Sequence, residues 1–169
     1  MISRRRTRLE THRCNLTRLQ QSDYQAVKTL YGNEQVRTYL GGAIPEEHAL
    51  NKFLDILQRS ETDSYYWTVR LKISNEFIGL VSLEQHVDGQ DTEISYELLP
   101  HSWGHGYAKE AVAQVLTYAF NELNLNRVIA ETQTANHSSC KLLERVGMKL
   151  DRKIMRYDAE QALYGIDRI

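Results

Sequence analysis

Two glycines stand two residues apart in Trp103-Gly104-His105-Gly106-Tyr107-Ala108, after an apolar run that stops at Pro100 and before a helical pattern. Flexible residues at such a handover carry a chemical implication. The first turn of a helix leaves backbone N–H groups unpaired and pointing outward, and the helix dipole adds partial positive charge there. Glycine removes the Cβ atoms that would hold an anion away. Gly104 and Gly106, with the amides of His105, Tyr107 and Ala108, can therefore cradle a pyrophosphate. The same glycines also serve a tight strand-to-helix turn with no ligand, and the residues alone leave both readings open. Neither common nucleotide fingerprint fits. A dinucleotide fold needs a third glycine where Lys109 stands, and an acid at the end of the next strand, whereas Glu131 lies mid-strand. The phosphate-binding loop that ends in Gly-Lys-Ser/Thr is absent.

A second group of chemistry-bearing residues is Asn136, Ser139 and Cys140. Asn136 is placed to cap the helix that follows. A hydroxyl at Ser139, near that helix start, satisfies backbone amides. Cys140 also lies where thiols acidify, yet it falls on the core-facing side with Leu143 and reads as a buried structural thiol. His105 and His137 adjoin these motifs and read as exposed. The six histidines show no metal-ligand spacing, and Cys14 and Cys140 are too far apart for a CxxC site, so no metal is expected.

The elements that must position these residues can be read from periodicity. Residues Thr7 to Leu19 alternate as an edge strand with Leu9, Cys14, Leu16 and Leu19 inward. Ser22 and Asp23 cap a helix carrying Ala26, Val27 and Leu30. A short helix is predicted over Glu34 to Tyr39, then Gly41-Gly42 break the chain. Pro45-Glu46-Glu47 opens a helix whose apolar face is Ala49, Leu50, Phe53, Leu54 and Leu57, ending near Arg59. Tyr65 to Ile73, Phe77 to Gln85 and Thr92 to Leu99 read as an antiparallel meander, with turns at Ser74-Asn75-Glu76 and Asp88-Gly89. Tyr65, Tyr66 and Trp67 read as packing aromatics. Ala108, Ala111, Val112, Val115, Leu116 and Ala119 recur as one helical face. Arg127 to Thr134 is a strand, Asn136 to Arg145 a helix stopped by Gly147, and Met148 to Tyr157 and Ala162 to Ile169 two closing strands. The order β-α-α-β-β-β-α-β-α-β-β predicts an α+β (mixed α/β) domain.

Composition narrows the class. One domain of 169 residues, 41% hydrophobic and 25% charged, is ordinary for a soluble globular protein. A net charge of −1 argues against direct nucleic-acid binding through bulk charge. The one basic run, Arg4-Arg5-Arg6 with Arg8, reads as a solvated end. No apolar run is long enough to span a membrane, no signal-peptide pattern opens the chain, and a cytoplasmic location is expected.

The segment from Glu93 to Val112, EISYELLPHSWGHGYAKEAV, resembles the cofactor-binding motif of the GNAT N-acetyltransferases. It looks most like the ribosomal-protein N-terminal acetyltransferase (RimJ/RimL-like) branch, which shows E-I-x-Y, a proline, then W-G-x-G-Y/L-A-x-E-A. NHSSCKLLERVGMK, Asn136 to Lys149, is similar to the family's N-x-x-S helix and its G-F or G-M turn. The resemblance covers nearly the whole chain, with a core of about 8–168. It implies a central, mostly antiparallel sheet of about seven strands, splayed in the middle to hold acetyl-CoA. The pantetheine arm is then expected against the backbone of Leu98 and Leu99, the pyrophosphate on the turn from Trp103 to Ala108, and Asn136 at the pantetheine amide. One departure is His101, where the family often places Gln or Arg.

Amide formation from a thioester requires a deprotonated amine, a stabilised oxyanion and a proton for the leaving thiolate. The resemblance implies direct attack by a primary amine in a ternary complex. Its acceptor is a protein N-terminal amine or a small amine, selected by the loops Gly41 to Glu47 and Asp88 to Thr92. Glu93, facing opposite to Ile94, is the expected base; the plain alternative is a glutamate paired across the sheet. A backbone N–H near Leu98 is the expected oxyanion donor. Many relatives place an acid tyrosine where Leu143 stands here, and Ser139 resembles the serine that approaches the sulfur in the ribosomal-protein branch. A rival reading is a non-catalytic acyl-CoA sensor or scaffold on the same fold. Monomer and homodimer are both compatible with the sequence.

Overall fold

The structure is a computed structural model, and it describes residues 8–169. The Arg4–Arg6 run and Thr7 lie outside the described residues. The expected single edge strand is instead a hairpin: β1 (Arg8–Glu10) pairs antiparallel with β2 (Cys14–Arg18), Leu9 opposite Leu16. Thr11 turns the chain, its N–H donating to Cys14 O and its hydroxyl accepting from Cys14 N, both at 2.9 Å. The alternation itself holds, with Leu9, Cys14, Leu16 and Leu19 all buried.

Asp23 is the N-cap of α1 (Tyr24–Tyr31), as expected, but its side chain makes no capping bond to that helix. It closes a 3-10 turn, Gln21–Asp23, by accepting from Gln20 N at 2.8 Å. The stretch from Glu34 to Tyr39 is a series of turns rather than a helix. The Arg37 side chain explains this: it donates to Gly42 O at 2.7 Å and Leu40 O at 2.5 Å, winding the segment around its own guanidinium. In α2 (Glu46–Thr62) the buried stripe is Ala49, Phe53, Ile56 and Ser60. Leu50 and Leu54, read from the sequence as part of that face, are 47% and 43% exposed. The i, i+4, i+7, i+11 stripe leaves them one residue, or about 100°, around the helix.

Then come β3 (Tyr65–Leu71), β4 (Phe77–Gln85) and β5 (Thr92–Leu98), α3 (Tyr107–Asn121), β6 (Arg127–Gln133), α4 (His137–Arg145), β7 (Lys149–Arg156) and β8 (Ala159–Asp167). The last strand starts three residues earlier than expected, because the preceding turn is tight: Tyr157 and Asp158 both have positive φ, 55° and 58°. Among the described residues the sheet has eight strands in the order β1-β2-β3-β4-β5-β6-β8-β7, one more than expected because of the opening hairpin.

Every neighbouring pair is antiparallel except β5 and β6. These two run parallel and share only the pairs Thr92↔Val128 and Glu93↔Ile129. Beyond Glu93, β5 stays with β4 as far as Leu98 while β6 stays with β8 as far as Gln133. The sheet therefore divides at its centre.

A separate core covers each face. Ile78, Val81, Leu83, Ile94, Leu98, Val112 and Val115 pack beneath α3 and α4. Val27, Leu30, Phe53, Ile56, Tyr66 and Leu80 pack beneath α1 and α2. Burying each such side chain contributes about 1.5–3 kcal/mol. At Gly79, opposite Leu98, a Cβ would stand 2.3 Å from the Glu97 carbonyl oxygen, so β4 and β5 approach there as only glycine permits.

Candidate active site

The gap between β5 and β6 is bordered at one end by the glycine turn. After Leu98 a 3-10 turn, Pro100–Ser102, leads to Gly104 and Gly106, both left-handed at φ 79° and 84°. That conformation costs an L-residue with a side chain about 1–2 kcal/mol, which accounts for glycine at both places. Gly106 is the N-cap of α3. The helical ladder starts with Glu110 N donating to Gly106 O at 3.1 Å, so the Tyr107, Ala108 and Lys109 amides precede it. Nothing lies within 4 Å of where a Gly104 Cβ would stand. The turn thus presents helix-start amides beside an open position at Gly104.

Trp103 is half exposed, and its indole Nε1 donates to Leu98 O at 2.8 Å. The Leu99 amide donates to Ile78 O at 2.8 Å, so its hydrogen bond runs to β4. His101, at the position of the family's Gln or Arg, pairs with Glu76 Oε1 at 2.8 Å on the β3–β4 turn.

At the point of divergence sits Glu93. Its Oε2 accepts from the Glu131 backbone N–H at 3.3 Å. That amide is among the first on β6 to lie beyond the last β5–β6 pair, and the carboxylate supplies an acceptor where the ladder has stopped. Burial pushes the Glu93 carboxyl up to about 7; the charge on His86 opposes the rise, and Glu131 and Glu84 add to it. Glu131 is itself nearly buried, with its Oε1 2.8 Å from His86 Nε2 and its Oε2 accepting from Arg156 Nε at 3.0 Å. The Asp88 backbone N–H lies 3.2 Å from His86 Nδ1. Arg156 also reaches both Asp88 carboxylate oxygens at 3.3 Å. The β4–β5 and β7–β8 hairpins are thereby tied to the strand beside Glu93. A carboxyl ionising near neutrality is suited to accept a proton there.

The other side of the gap is formed by α4. Asn136 caps it, Oδ1 accepting from Ser139 N at 3.2 Å. Ser139 Oγ lies 2.6 Å from Tyr96 Oη. Burial pushes the Tyr96 phenol up to about 12, with the Ser139 hydrogen bond acting against it. Ile94, Tyr96 and Leu98 point toward α3 and α4, so Glu93, an odd number of residues from each of them, points to the opposite face. Glu93 and Ser139 therefore approach the divided strand from opposite sides of the sheet. Leu143, at the tyrosine position of many relatives, is buried in the core. Cys140 is half-buried against the same core, its Sγ 4.0 Å from Gln133 O.

On the α1–α2 side, Glu97 of β5 accepts from Arg37 at 3.3 Å, and burial raises its carboxyl pKa. Gln133 Nε2 donates to Tyr39 O at 3.1 Å, which fixes the 33–42 segment to the end of β6. Sequence reasoning did not assign His86, Tyr96, Glu97, Arg37 or Arg156 to the site. Glu97 could have been found, because it shares the alternation of Glu93; the partners from distant segments carry no local signal. Among the described residues no cluster of His, Cys, Asp and Glu could hold a metal ion, and no helix is long and apolar enough to cross a membrane.

A family model described as an acetyltransferase (GNAT) domain matches residues 13–149. The uncharacterized N-acetyltransferase YoaA of Bacillus subtilis is 27% identical over 157 residues, 88% of this chain and 86% of that protein. An acetyltransferase (GNAT family) from Bacillus anthracis superposes with a TM-score of 0.83 at 23% identity, covering 95% of this chain and 98% of the other. Spermidine N-acetyltransferase from Vibrio cholerae, solved with CoA and spermine, gives a TM-score of 0.77 at 19% identity over 91% of this chain and 95% of its own.

Proposed function

Since the chain belongs to the acetyltransferase (GNAT) domain family, and is an N-acetyltransferase on that ground, we propose that it takes acetyl-CoA as donor and a primary amine as acceptor. The observation that carries the donor assignment is the divided sheet beside a left-handed glycine turn: β5 and β6 part after Glu93, and Gly104 faces open space. Trp103, Gly104, His105, Gly106, Tyr107 and Ala108 would hold the pyrophosphate through backbone amides. Leu98, Leu99 and Asn136 would border the pantetheine arm, as in the family motif. The Leu99 amide is engaged with Ile78, so its contribution there is contact rather than hydrogen bonding. Acetyl-CoA supplies the activated acyl group.

In this reading Glu93 takes the proton of the acceptor ammonium, directly or through water. Its position at the first unpaired rung of the sheet and its raised pKa support that role. Ser139, hydrogen-bonded to Tyr96, donates a hydrogen bond to the departing thiolate, which takes its proton from solvent as Glu93 releases the one it removed from the amine. The motif's likeness to the ribosomal-protein branch supports a protein N-terminal amine or a small amine as acceptor, selected by the loops 41–47 and 88–92. A cytoplasmic setting follows from the same reading.

Thermal unfolding with acetyl-CoA, CoA, ATP and NAD tests the donor. A ligand at a hundred times its Kd adds about 2.7 kcal/mol of stability. A rise with the two CoA species alone supports the proposal, and a panel of peptides with free N-termini, polyamines and amino acids, read by thiol release, then finds the acceptor. No response to either CoA species overturns it.

A further inference from the structure

Arg13 lies in the β1–β2 turn, 92 residues before the glycine turn, yet its side chain is built into that turn. Its guanidinium donates to His105 O at 2.7 Å and, through Nε, to Glu110 Oε2 at 2.5 Å. Its backbone N–H donates to Glu110 Oε1 at 3.1 Å, beside the Thr11 hydroxyl at 2.8 Å. The guanidinium carbon stands 4.4 Å over the Tyr107 ring. A Cβ on Gly106 would sit 3.2 Å from the same guanidinium, so that glycine accommodates Arg13 as well as a positive φ.

Two consequences follow for an anion on this turn. The His105–Gly106 peptide is trans, so its C=O and N–H point in opposite directions. With the carbonyl held by Arg13, the Gly106 amide is turned away from the protein and toward the open side. The second consequence is electrostatic. Glu110 is the acid in the first turn of α3, and its hydrogen bonds from Thr11 and Arg13 hold its carboxyl below the usual range against the effect of burial. An ionised glutamate suits the helix dipole but repels a phosphate at the same terminus. Arg13 cancels that charge where the repulsion would act.

We propose that Arg13 is a positioning residue of the donor site: it orients the Gly106 amide through the His105 carbonyl and neutralises Glu110, so that the α3 terminus accepts a pyrophosphate. The inference rests on the acetyl-CoA reading above. It is specific to the phosphate end of the donor, and truncated donors separate it from general loss of structure.

The experiment measures Kd for CoA by calorimetry and for S-acetylpantetheine, which lacks the pyrophosphate, by NMR titration. The proteins are the wild type, Arg13→Gln, Arg13→Lys, Glu110→Gln and the Arg13→Gln/Glu110→Gln double variant. Arg13→Gln is expected to weaken CoA by about tenfold or more, the size of one or two charge-assisted contacts, with S-acetylpantetheine unchanged. Arg13→Lys keeps the charge without the fork and falls between. Adding Glu110→Gln to Arg13→Gln is expected to restore part of the loss, since the charges are coupled. Equal weakening of both ligands, or an unchanged CoA affinity in Arg13→Gln, overturns the role. A wild type that binds S-acetylpantetheine but not CoA overturns it too, and a wild type that binds neither removes the acetyl-CoA reading and this inference together.

Discussion

Replacing Glu93 with Gln should stabilise the protein above neutral pH and not at acid pH. The magnitude comes from the carboxyl's surroundings. Burial, with Glu131 and Glu84 nearby, raises its pKa from 4.5 to about 7. At about 1.4 kcal/mol per unit, that rise corresponds to a penalty on the order of 3 kcal/mol for the ionised form. The sign is opposite to that of a salt-bridged acid. Below 4.5 the carboxyl is protonated in both folded and unfolded chains and contributes nothing. Between 4.5 and about 7 the unfolded chain releases the proton while the folded one keeps it, so stability falls as pH rises. Above about 7 the penalty is fully present. Gln is neutral throughout, and its carbonyl can still accept from Glu131 N. Urea unfolding of both proteins at pH 4, 6, 7 and 8 reads the difference: near zero at the acid end, growing to at most about 3 kcal/mol in favour of Glu93→Gln at pH 8. The same substitution should abolish the acidic limb of the kcat/KM profile near pH 7 and lower the plateau on the order of 10²-fold or more. A Glu93→Gln protein no more stable than wild type at pH 8 would refute the buried, destabilised carboxylate. An unchanged plateau would refute its role as base.

Ser139→Ala should lower kcat on the order of 10²-fold and leave the CoA Kd within about twofold; steady-state kinetics beside calorimetry checks this, and equal loss of kcat and affinity would assign Ser139 to binding. Asn136→Ala removes the acceptor of the Ser139 amide and should cost about 1 kcal/mol in urea unfolding with an unchanged slope. A Cβ at Gly104 meets no atom within 4 Å but a φ of 79°, so Gly104→Ala should cost about 1–2 kcal/mol of stability and weaken CoA; a variant that still binds CoA tightly would count against the glycine turn as the phosphate seat. His86→Gln removes the charge that favours ionised Glu93, so the acidic limb should move to higher pH, read from kcat/KM profiles; a shift downward would contradict the assigned linkage.

Where burial follows from local period, the chain was legible. The alternation of Leu9, Cys14 and Leu16 located inward positions even though a turn at Thr11 splits the run into two strands. A hydroxyl hydrogen bond within three residues leaves no mark on hydrophobic periodicity. The helical face of α3 and the glycine turn were readable because both depend on nearest neighbours in sequence. In α2 the stripe was misplaced by one step, since Leu50 and Leu54 are as apolar as Phe53 and only the sheet beneath decides which side is covered. Glu34 to Tyr39 has helical composition, and a single side chain, Arg37, winds it otherwise. The candidate site was readable on β5, at the glycine turn and at the α4 start. Its supports were not, because Arg13, His86, Tyr96 and Arg156 act through partners tens of residues away.

Gly79 sets a mechanical stop for the divided strand from the side facing away from the gap. One methyl group there would collide with the Glu97 carbonyl at 2.3 Å, a backbone atom that cannot swing aside. β5 would have to yield as a whole, and β6 is the neighbour from which it has already parted. The aperture between the strands is thus governed by an atom missing from a third strand, outside any motif that names the donor. Substitutions at 79 become a ruler for that aperture: Ala and then Ser press on β5 at Glu97 and Leu98 by increments while every group meant to touch either substrate keeps its chemistry.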